Sequence, residues 1–256
     1  MARTDVENRE KPSKDGGLYE TVKVIVQALL IAVVVRTLLF QPFNIPSGSL
    51  IPTLLIGDYL FVSKYSYGYS KYSIPFSPPV FNGRILASEP KRGDVAVFKL
   101  PKDNSTDYIK RVIGLPGDRV QMRDGRLYIN DQMVERQRIE DYVTPDSWGR
   151  MVPVPQYIET LPGGVKHRVI ERDGDKGYWD NTYVYTVPAG HYFMMGDNRD
   201  NSTDSRDESS VGYVPFENFI GRAELIFFSV KEDSAAWQFW KWPWSVRWDR
   251  MFTRVR

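Results

Sequence analysis

One long apolar run constrains this chain more than any other feature. Residues 24–40 read VIVQALLIAVVVRTLLF, and only Gln27, Arg36 and Thr37 interrupt the apolar character. As a helix this run extends about 26 Å at ~1.5 Å per residue, close to the ~30 Å hydrocarbon core of a bilayer. Residues 22 and 23 lengthen it, and an arginine near its end can reach the interface. We therefore predict a retained transmembrane anchor over residues 22–40.

A buried core helix and a cleaved signal peptide are the alternatives for this run. A core helix of a folded domain should carry a polar face, which is weak here. A cleaved signal peptide needs small residues at its cleavage site, and RTLLFQPFNIP at residues 36–46 offers none. Both alternatives are therefore less favoured than an anchor.

The basic residues around the run predict its orientation. After Arg36 no basic residue occurs before Lys64, whereas five occur before residue 24. Those five are Arg3, Arg9, Lys11, Lys14 and Lys23. Basic flanks stay in the cytoplasm, so we expect a cytoplasmic tail over residues 1–21 and the remainder outside. In a bacterium with two membranes, the outside is the periplasm.

The carboxyl-terminal residues 233–256 carry an unusual set of side chains. They include five tryptophans and five basic residues against two acidic residues. Tryptophan with arginine and lysine is typical of a segment in the lipid headgroup region. This composition predicts a membrane-interface tail, with rings that cover a core edge as the alternative.

Overall composition excludes several functions. The 34 basic residues nearly balance the 32 acidic ones, so the chain lacks the charge of a nucleic-acid-binding protein. It has no cysteine, which excludes disulfides, thiolate metal sites and a cysteine nucleophile. The only histidines are His167 and His191, and we interpret both as structural. A hydrolase of this sequence would therefore need another base.

Short strands and turns predict a mainly antiparallel β fold from residue 58 onward. Runs such as GDVAVFKL and GRAELIFFSV are β-branched or aromatic and end at Gly, Pro or Asp, and Asp124-Gly125 reads as a hairpin turn. We predict a folded, barrel-like β core over residues 41–130 and 186–232. Residues 131–185 are predicted to form a smaller β-rich insertion, and residues 65–91 a long hairpin or loop.

The segment Ser47-Gly48-Ser49 holds two hydroxyl groups in constrained backbone between two prolines. A nucleophilic serine needs a fixed hydroxyl, a base and donors for the developing oxyanion. The Ser49 amide and the Ser47 hydroxyl could be two such donors. Read alone, the segment is weak evidence for catalysis, because such sequences are common in ordinary turns.

Lys110 is the residue whose position permits a base. Alternation along the predicted strand at 107–114 puts Lys110 on the same face as Tyr108 and Val112. An exposed lysine has a pKa of ~10.4 and is therefore protonated at neutral pH. Burial among apolar groups lowers this pKa. The pattern allows either a buried lysine or an edge-strand lysine that points to water.

Residues 195–207, MGDNRDNSTDSRD, form a polar loop. The spacing fails as an EF-hand from Asp200, because Ser205 stands at its sixth position and Val211 at its twelfth. Asp204 and Arg206 could pair to brace the loop, and Ser202 could orient a neutral amine. A solvated loop is the alternative.

Taken in order, these segments resemble the type I signal peptidases, or leader peptidases, of bacteria. The resemblance rests on FNIPSGSLIPTLLIGDYLFV at 43–62, KRGDVAVFK at 91–99, DYIKRVIGLPGDRV at 107–120 and GDNRDNSTDSR at 196–206. It covers the anchor and about a third of the remaining chain. One departure is Leu50, where the family usually has methionine.

The resemblance implies a role for each matching residue. Ser49 would be the nucleophile, Lys110 the general base and Ser47 part of the oxyanion hole. Residues expected to support the dyad are Ser202, Asp204, Arg206 and Arg111. Residues expected to bind substrate are Phe43, Ile45, Pro46, Leu50, Leu54, Tyr108 and Ile109.

The implied activity is a membrane-bound serine endopeptidase that cleaves signal peptides after a small-x-small site through an acyl-enzyme. Its expected partners are exported preproteins, membrane lipid and, by proximity, the export machinery, with no nucleic acid, cofactor or metal. The expected location is the inner membrane, with the catalytic domain on the periplasmic face. The alternatives are a peptidase dedicated to one pilus or conjugation substrate, and an inactive anchored peptide-binding module.

Overall fold

The apolar run forms most of one long amino-terminal helix. The computed structural model describes residues 14–146, 148–232 and 234–256, so most of the predicted tail 1–21 lies outside the described residues. Helix α1 spans Lys14–Leu38. Its residues 19–38 are the one helix in the described ranges long and apolar enough to cross a membrane, and none of that stretch is buried in the protein. A helix with apolar side chains on all sides and no packing partner is consistent with a membrane anchor.

Antiparallel strands make up most of the remaining chain. Every pairing between the described strands is antiparallel. The strands are β1 (Phe40–Asn44), β2 (Asp58–Ser63), β3 (Val95–Lys99), β4 (Asp107–Gly114), β5 (Arg119–Arg123), β6 (Arg126–Ile129), β7 (Gln132–Met133), β8 (Glu135–Pro145), β9 (Met151–Thr160), β10 (Lys166–Ile170), β11 (Tyr185–Thr186), β12 (His191–Met195), β13 (Val214–Pro215), β14 (Phe219–Ser229) and β15 (Thr253–Arg254). A short helix α2 (Trp242–Ser245) lies in the carboxyl-terminal tail.

Two sheets form the core. The larger has the order β1-β2-β14-β3-β4-β12-β13, with β15 paired to β14, and the smaller has the order β11-β5-β6-β7. Strands β5 and β6 form the predicted hairpin, in which Asp124 and Gly125 both have positive φ, as a tight hairpin turn requires. The prediction of a mainly antiparallel β fold with one amino-terminal helix is confirmed.

A third sheet lies within the stretch predicted as an insertion, residues 131–185. It has the order β10-β9-β8 and extends over residues 135–170. Strand β7 and the first residue of β11 belong to the same stretch, but these strands pair with the core strands β6 and β5. The separate sheet is therefore smaller than the predicted insertion. Residues 65–91 contain an isolated bridge between Tyr69 and Ile85 and a single turn of 3-10 helix.

The carboxyl-terminal tail is attached to the core and exposes many of its aromatic rings. Its backbone is tied to the core, because Arg247 donates to the Ser229 hydroxyl at 2.8 Å and Arg250 to Asp58 at 2.6 Å. Several of its rings nevertheless project outward. The exposed tryptophans are Trp237, Trp240, Trp242, Trp244 and Trp248. The tail thus packs on the sheet through its arginines and presents aromatic rings to its surroundings.

Candidate active site

The turn that carries Ser49 connects β1 to β2 and is held from both ends. The Ile45 amide donates to the Asp58 carbonyl at 2.8 Å, and the Leu54 amide to the Leu50 carbonyl at 2.9 Å. The side chains of Ile45, Leu50 and Leu54 are buried in an apolar cluster with residues of β2, β3 and β14. Backbone and side chains together fix the turn on the sheet.

Lys110 contacts Ser49 directly. Strand β4 lies between β3 and β12, and its Lys110 side chain is only 4% exposed. The Lys110 Nζ donates a hydrogen bond to the Ser49 Oγ, and the serine is buried as well. The Nζ also lies 5.7 Å from the centre of the Tyr108 ring. Of the two arrangements that the sequence allowed, the structure therefore has the buried lysine.

Burial changes the protonation of Lys110. Loss of water around the amine lowers its pKa from the ordinary 10.5 to about 8. The positive charge of Arg206 lowers it further, whereas the negative charges of Asp204 and Asp197 raise it. A substantial neutral fraction of the amine therefore exists near pH 8, which an exposed lysine would not provide.

The polar loop at 196–206 is braced by a buried ion pair. Arg206 donates from Nε and Nη2 to the two carboxylate oxygens of Asp204, each at 2.9 Å. The Gly196 amide also donates to Asp204, at 3.0 Å, and Arg206 bonds the Arg199 carbonyl at 2.6 Å. Burial opposes ionisation of Asp204, but the Arg206 charge still holds its pKa below the usual value. Asp204 and Arg206 thus bind each other and the loop backbone.

This loop also contacts the serine turn. The backbone amide of Asn198 donates to the Ser49 carbonyl at 3.1 Å, and its side-chain amide donates to the Gly48 carbonyl at 3.1 Å. A Cβ at Gly196 would lie 2.5 Å from the Ser49 carbonyl oxygen and 2.2 Å from the Ser202 Oγ. The approach between loop and turn therefore requires glycine at position 196.

The two other hydroxyl groups of the predicted site differ in their surroundings. Ser202 is buried, and within the described residues its Oγ has no hydrogen-bond partner. The hydrogen bond from Ser202 to Lys110 that the resemblance implied is thus not formed here. Ser47 is exposed and lies at the cleft beside Ser49 and Lys110.

A cleft of 630 Å³ opens above Ser49 and Lys110. Three residues predicted to bind substrate line it, and they are Pro46, Tyr108 and Ile109. Ile45, Leu50 and Leu54 are instead buried in the apolar cluster, and Phe43 packs against that cluster. They support the cleft from behind, because strand alternation and the turn direct them into the core. Trp179, Asp200 and Asn201 also line the cleft. Sequence analysis gave none of them a role there, although Asp200 and Asn201 belong to the polar loop motif.

Arg111 points away from the cleft into a second buried network. Its Nε and Nη2 donate to the two oxygens of Asp197 at 2.8 and 2.6 Å. The Thr53 hydroxyl donates to the same carboxylate at 2.5 Å, and Arg111 also bonds the Gly93 carbonyl. These bonds link the serine turn, strand β4 and the polar loop. Asp197 is a site residue that sequence analysis missed, although it lies two residues after strand β12 within the loop motif.

Neither histidine is hydrogen-bonded to Ser49 or Lys110 in the described residues. His167 is buried, and loss of hydration with the nearby Arg111 charge lowers its pKa to about 4. It is therefore neutral at pH 7, 3.6 Å from Glu159. His191 is hydrogen-bonded to the Ala189 carbonyl at 2.9 Å. The lysine is the only basic side chain among the described residues that donates to the Ser49 hydroxyl.

Comparison with known proteins identifies the family. The family model described as signal peptidase, peptidase S26, matches residues 18–228. The chain belongs to this signal peptidase family. It is 43% identical to the signal peptidase I of Rickettsia typhi, over 88% of this chain and 85% of that protein. It is 46% identical to that of Rickettsia conorii, over 79% of this chain and 77% of that protein.

Among solved structures, a signal peptidase I of Enterococcus faecalis is similar at 27% identity and a TM-score of 0.31, covering 53% of this chain and 97% of that one. Signal peptidases of this family are serine peptidases that hydrolyse the peptide bond after a signal sequence. The chain is therefore a hydrolase, and the alternative of an inactive peptide-binding module is set aside. Its amino-terminal helix agrees with the membrane anchoring of these enzymes.

Proposed function

We propose that this signal peptidase cleaves preproteins by attack of the Ser49 Oγ on the scissile carbonyl, with Lys110 as general base. The hydrogen bond between the Lys110 Nζ and the Ser49 Oγ carries this proposal. When the amine is neutral, the same two atoms allow the serine hydroxyl to donate its proton to nitrogen. A general base must lie within hydrogen-bond reach and titrate near the operating pH, and Lys110 meets both conditions.

Two half-reactions follow from this assignment. As the Oγ bonds to the carbonyl carbon, its proton passes to the Lys110 amine and the carbonyl oxygen becomes an oxyanion. The intermediate then collapses to an acyl-enzyme on Ser49, and the departing amine of the mature protein takes the proton from the lysine. A water molecule next attacks the ester, with Lys110 again as base, and the signal peptide leaves with a free carboxylate.

The oxyanion requires hydrogen-bond donors next to Ser49. The Ser49 amide donates to no acceptor in the described residues, so it is free to serve. The Ser47 hydroxyl, exposed at the same cleft, is the proposed second donor. Removing one such donor from an enzyme typically costs about 10²–10³-fold in rate. Ser202, buried beside the cleft, is proposed to hold the amine of Lys110 during turnover.

The cleft suits an extended peptide. Strand β12 pairs with β4 only from Arg111 onward, so on that side residues 107–110 have no strand partner in the described chain. These residues also line the cleft, where an extended substrate can add as a further strand. Pro46, Tyr108 and Ile109 line the cleft with apolar surface. We propose that the subsites beside Ser49 are shallow, so that the substrate residues at the cleavage site must have small side chains.

The proposed topology follows from the anchor and its charges. The Ser49 turn lies only a short strand after helix α1, so cleavage would occur close to the membrane surface. Basic residues before the helix favour a cytoplasmic amino terminus, with the catalytic domain on the periplasmic face of the inner membrane. The exposed tail tryptophans suit contact with lipid headgroups, and preproteins would be met near the export machinery.

The test is cleavage of a preprotein with an Ala-x-Ala site by the full chain in detergent. Ser49→Ala should abolish cleavage without changing the circular dichroism spectrum, since only the side-chain oxygen of one residue is removed. Ser88→Ala, at an exposed serine outside the cleft, is the matched control and should cleave normally. Normal cleavage by Ser49→Ala would refute the mechanism. Cleavage should also be measured on a panel of unrelated preproteins. A general signal peptidase should cleave most of them, whereas a dedicated peptidase should cleave one.

A further inference from the structure

Three carboxylates from separate parts of the chain converge beside the cleft. Glu171 follows β10, Asp180 lies in the loop before β11, and Asp200 lies in the polar loop. One oxygen of each lies within 4.8 Å of the others. The catalytic proposal uses none of these three groups, so their proximity needs another explanation.

Glu171 is the unusual member of this carboxylate cluster. It is 0% exposed, and neither of its Oε atoms has a hydrogen-bond partner in the described residues. The Oδ1 of Asp180, a residue 1% exposed, is likewise without one. The Nη1 of Arg136 lies 3.5 Å from Glu171, but this guanidinium bonds Asp175 and the Gly125 carbonyl. Leaving a buried carboxylate without donors costs several kcal/mol in general, so these oxygens require a ligand or a proton.

The other carboxylate oxygens of the cluster are held by the backbone. The Gly177 amide donates to the Asp180 Oδ2 at 2.6 Å, and the Asp173 amide donates to the Asp200 Oδ2 at 2.8 Å. A Cβ at Gly177 would lie 2.1 Å from the Asp200 Oδ1. The local backbone thus orients the two aspartates and leaves room for them only because position 177 is glycine.

We propose that Glu171, Asp180 and Asp200 bind a calcium ion. Hard carboxylate oxygens suit this cation, and ligands at about 2.3–2.6 Å from a common centre lie up to about 5 Å apart, as the cluster's oxygens do. The divalent charge would offset the repulsion among three acids. Sequence analysis predicted no metal, because these ligands do not share one continuous loop.

The position of the calcium site links it to the cleft. Asp200 and Trp179, which is adjacent to Asp180, both line the cleft with Ser49. A bound ion would therefore connect the polar loop, through Asp200, to the side of the cleft formed by Trp179, through Asp180. The inference does not depend on the catalytic proposal, since calcium binding is measured without any cleavage.

The experiment is thermal unfolding of the full chain in detergent at pH 7, after chelator treatment and dialysis. Calcium chloride is titrated to about 10 mM, a range that covers weak extracellular sites, with ionic strength held constant by sodium chloride. At a tenfold excess over the Kd, the wild-type Tm should rise by about 3–6 °C. Glu171→Gln should not respond to calcium, whereas Asp131→Asn, at an exposed acid paired with Arg119, should respond like the wild type.

A direct binding measurement keeps the proposal testable if Glu171→Gln folds poorly. Terbium in the site should luminesce on tryptophan excitation, and calcium should displace it. Trp179→Phe should lose most of this luminescence and keep the calcium-dependent rise in Tm. A wild-type Tm that does not respond to calcium would overturn the proposal.

Discussion

Two buried lysines in this molecule have almost the same pKa and different surroundings. Lys64, directly after β2, is 1% exposed, and burial with the nearby Arg36 charge lowers its pKa to about 8. Lys110 reaches about 8 for the same main reason. The Lys64 Nζ, however, donates to the Ser73 backbone carbonyl, whereas the Lys110 Nζ donates to the Ser49 hydroxyl.

The difference shows what a lowered lysine pKa means. A backbone carbonyl can only accept a hydrogen bond, so a neutral Lys64 finds no proton to take from its partner. A serine hydroxyl can also donate, so a neutral Lys110 can take one. The pKa therefore reports burial in both regions, and the chemistry of the partner atom distinguishes the base from the structural lysine.

The largest expected effect comes from replacing each lysine by methionine, which keeps the chain length and removes the amine. Lys110→Met should lower kcat for preprotein cleavage by about 10⁴-fold, the upper range for loss of a general base. Lys64→Met should stay within about 3-fold of the wild type, because its amine contacts no cleft residue. Equal losses in both variants, measured on equally folded protein, would remove the distinction between the two lysines.

The same pair of variants should differ in stability. The folded pKa of Lys110 lies below the unfolded value of 10.5, so the unfolded state binds more protons between about pH 8 and 10.5. Wild-type stability should therefore rise with pH across that window. At pH 7, Lys110→Met should gain up to about 3 kcal/mol in free energy of unfolding, since ~1.4 kcal/mol corresponds to each pKa unit.

The free energy of unfolding should increase less in Lys64→Met than in Lys110→Met. The Ser73 carbonyl loses its hydrogen-bond donor in Lys64→Met, at a cost of about 1–3 kcal/mol. Denaturant unfolding of the wild type and both variants at pH 7 and pH 10 measures these free energies of unfolding. A Lys110→Met variant less stable than the wild type at pH 7 would contradict the cost assigned to the buried amine.

Ser202 offers a finer test of the Lys110 region. Its Oγ has no hydrogen-bond partner in the described residues, and we propose that it holds the lysine amine during turnover. Ser202→Ala should lower kcat by about 10–100-fold, the equivalent of one hydrogen bond to a charged group at ~1.5–3 kcal/mol. KM should change little, and the apparent pKa of the rate should shift. An unchanged pH profile would leave Ser202 with a packing role only.

The smallest expected effect is the pH dependence itself. Because neutral Lys110 is the active form, the rate should rise about tenfold per pH unit below its pKa and level off above about 8. Lys64→Met should retain the same midpoint, although Lys64 titrates in the same range. A midpoint that moves in Lys64→Met would mean that the second lysine contributes to the profile.

The sequence allowed much of this architecture to be predicted. Continuous apolar residues identified helix α1, and alternation with turn residues identified the strands, because both patterns are local. The same alternation put Lys110 on a face with apolar neighbours. Its contact with Ser49 could only be expected from the resemblance, since 61 residues separate the two in the chain.

The parts that could not be predicted depend on long-range packing. Arg111 meets Asp197 across 86 residues, and nothing in either local pattern indicates a partner. Leu50 and Leu54 flank the serine, yet the turn directs them into the core. Lys64 reads as an ordinary charged residue at a strand end. In each case tertiary burial, which is absent from the local sequence, decides the role of the side chain.

Gly196 has a consequence for how the site tolerates change. The two halves of the site meet there with no space for one additional carbon atom, between the Ser49 carbonyl and the Ser202 hydroxyl. Even alanine would act as a wedge and drive the serine turn away from the polar loop. If position 196 were randomised and active clones were selected, only glycine should be recovered. The catalytic arrangement thus depends on the absence of a Cβ atom at residue 196 as much as on the side chains of Ser49 and Lys110.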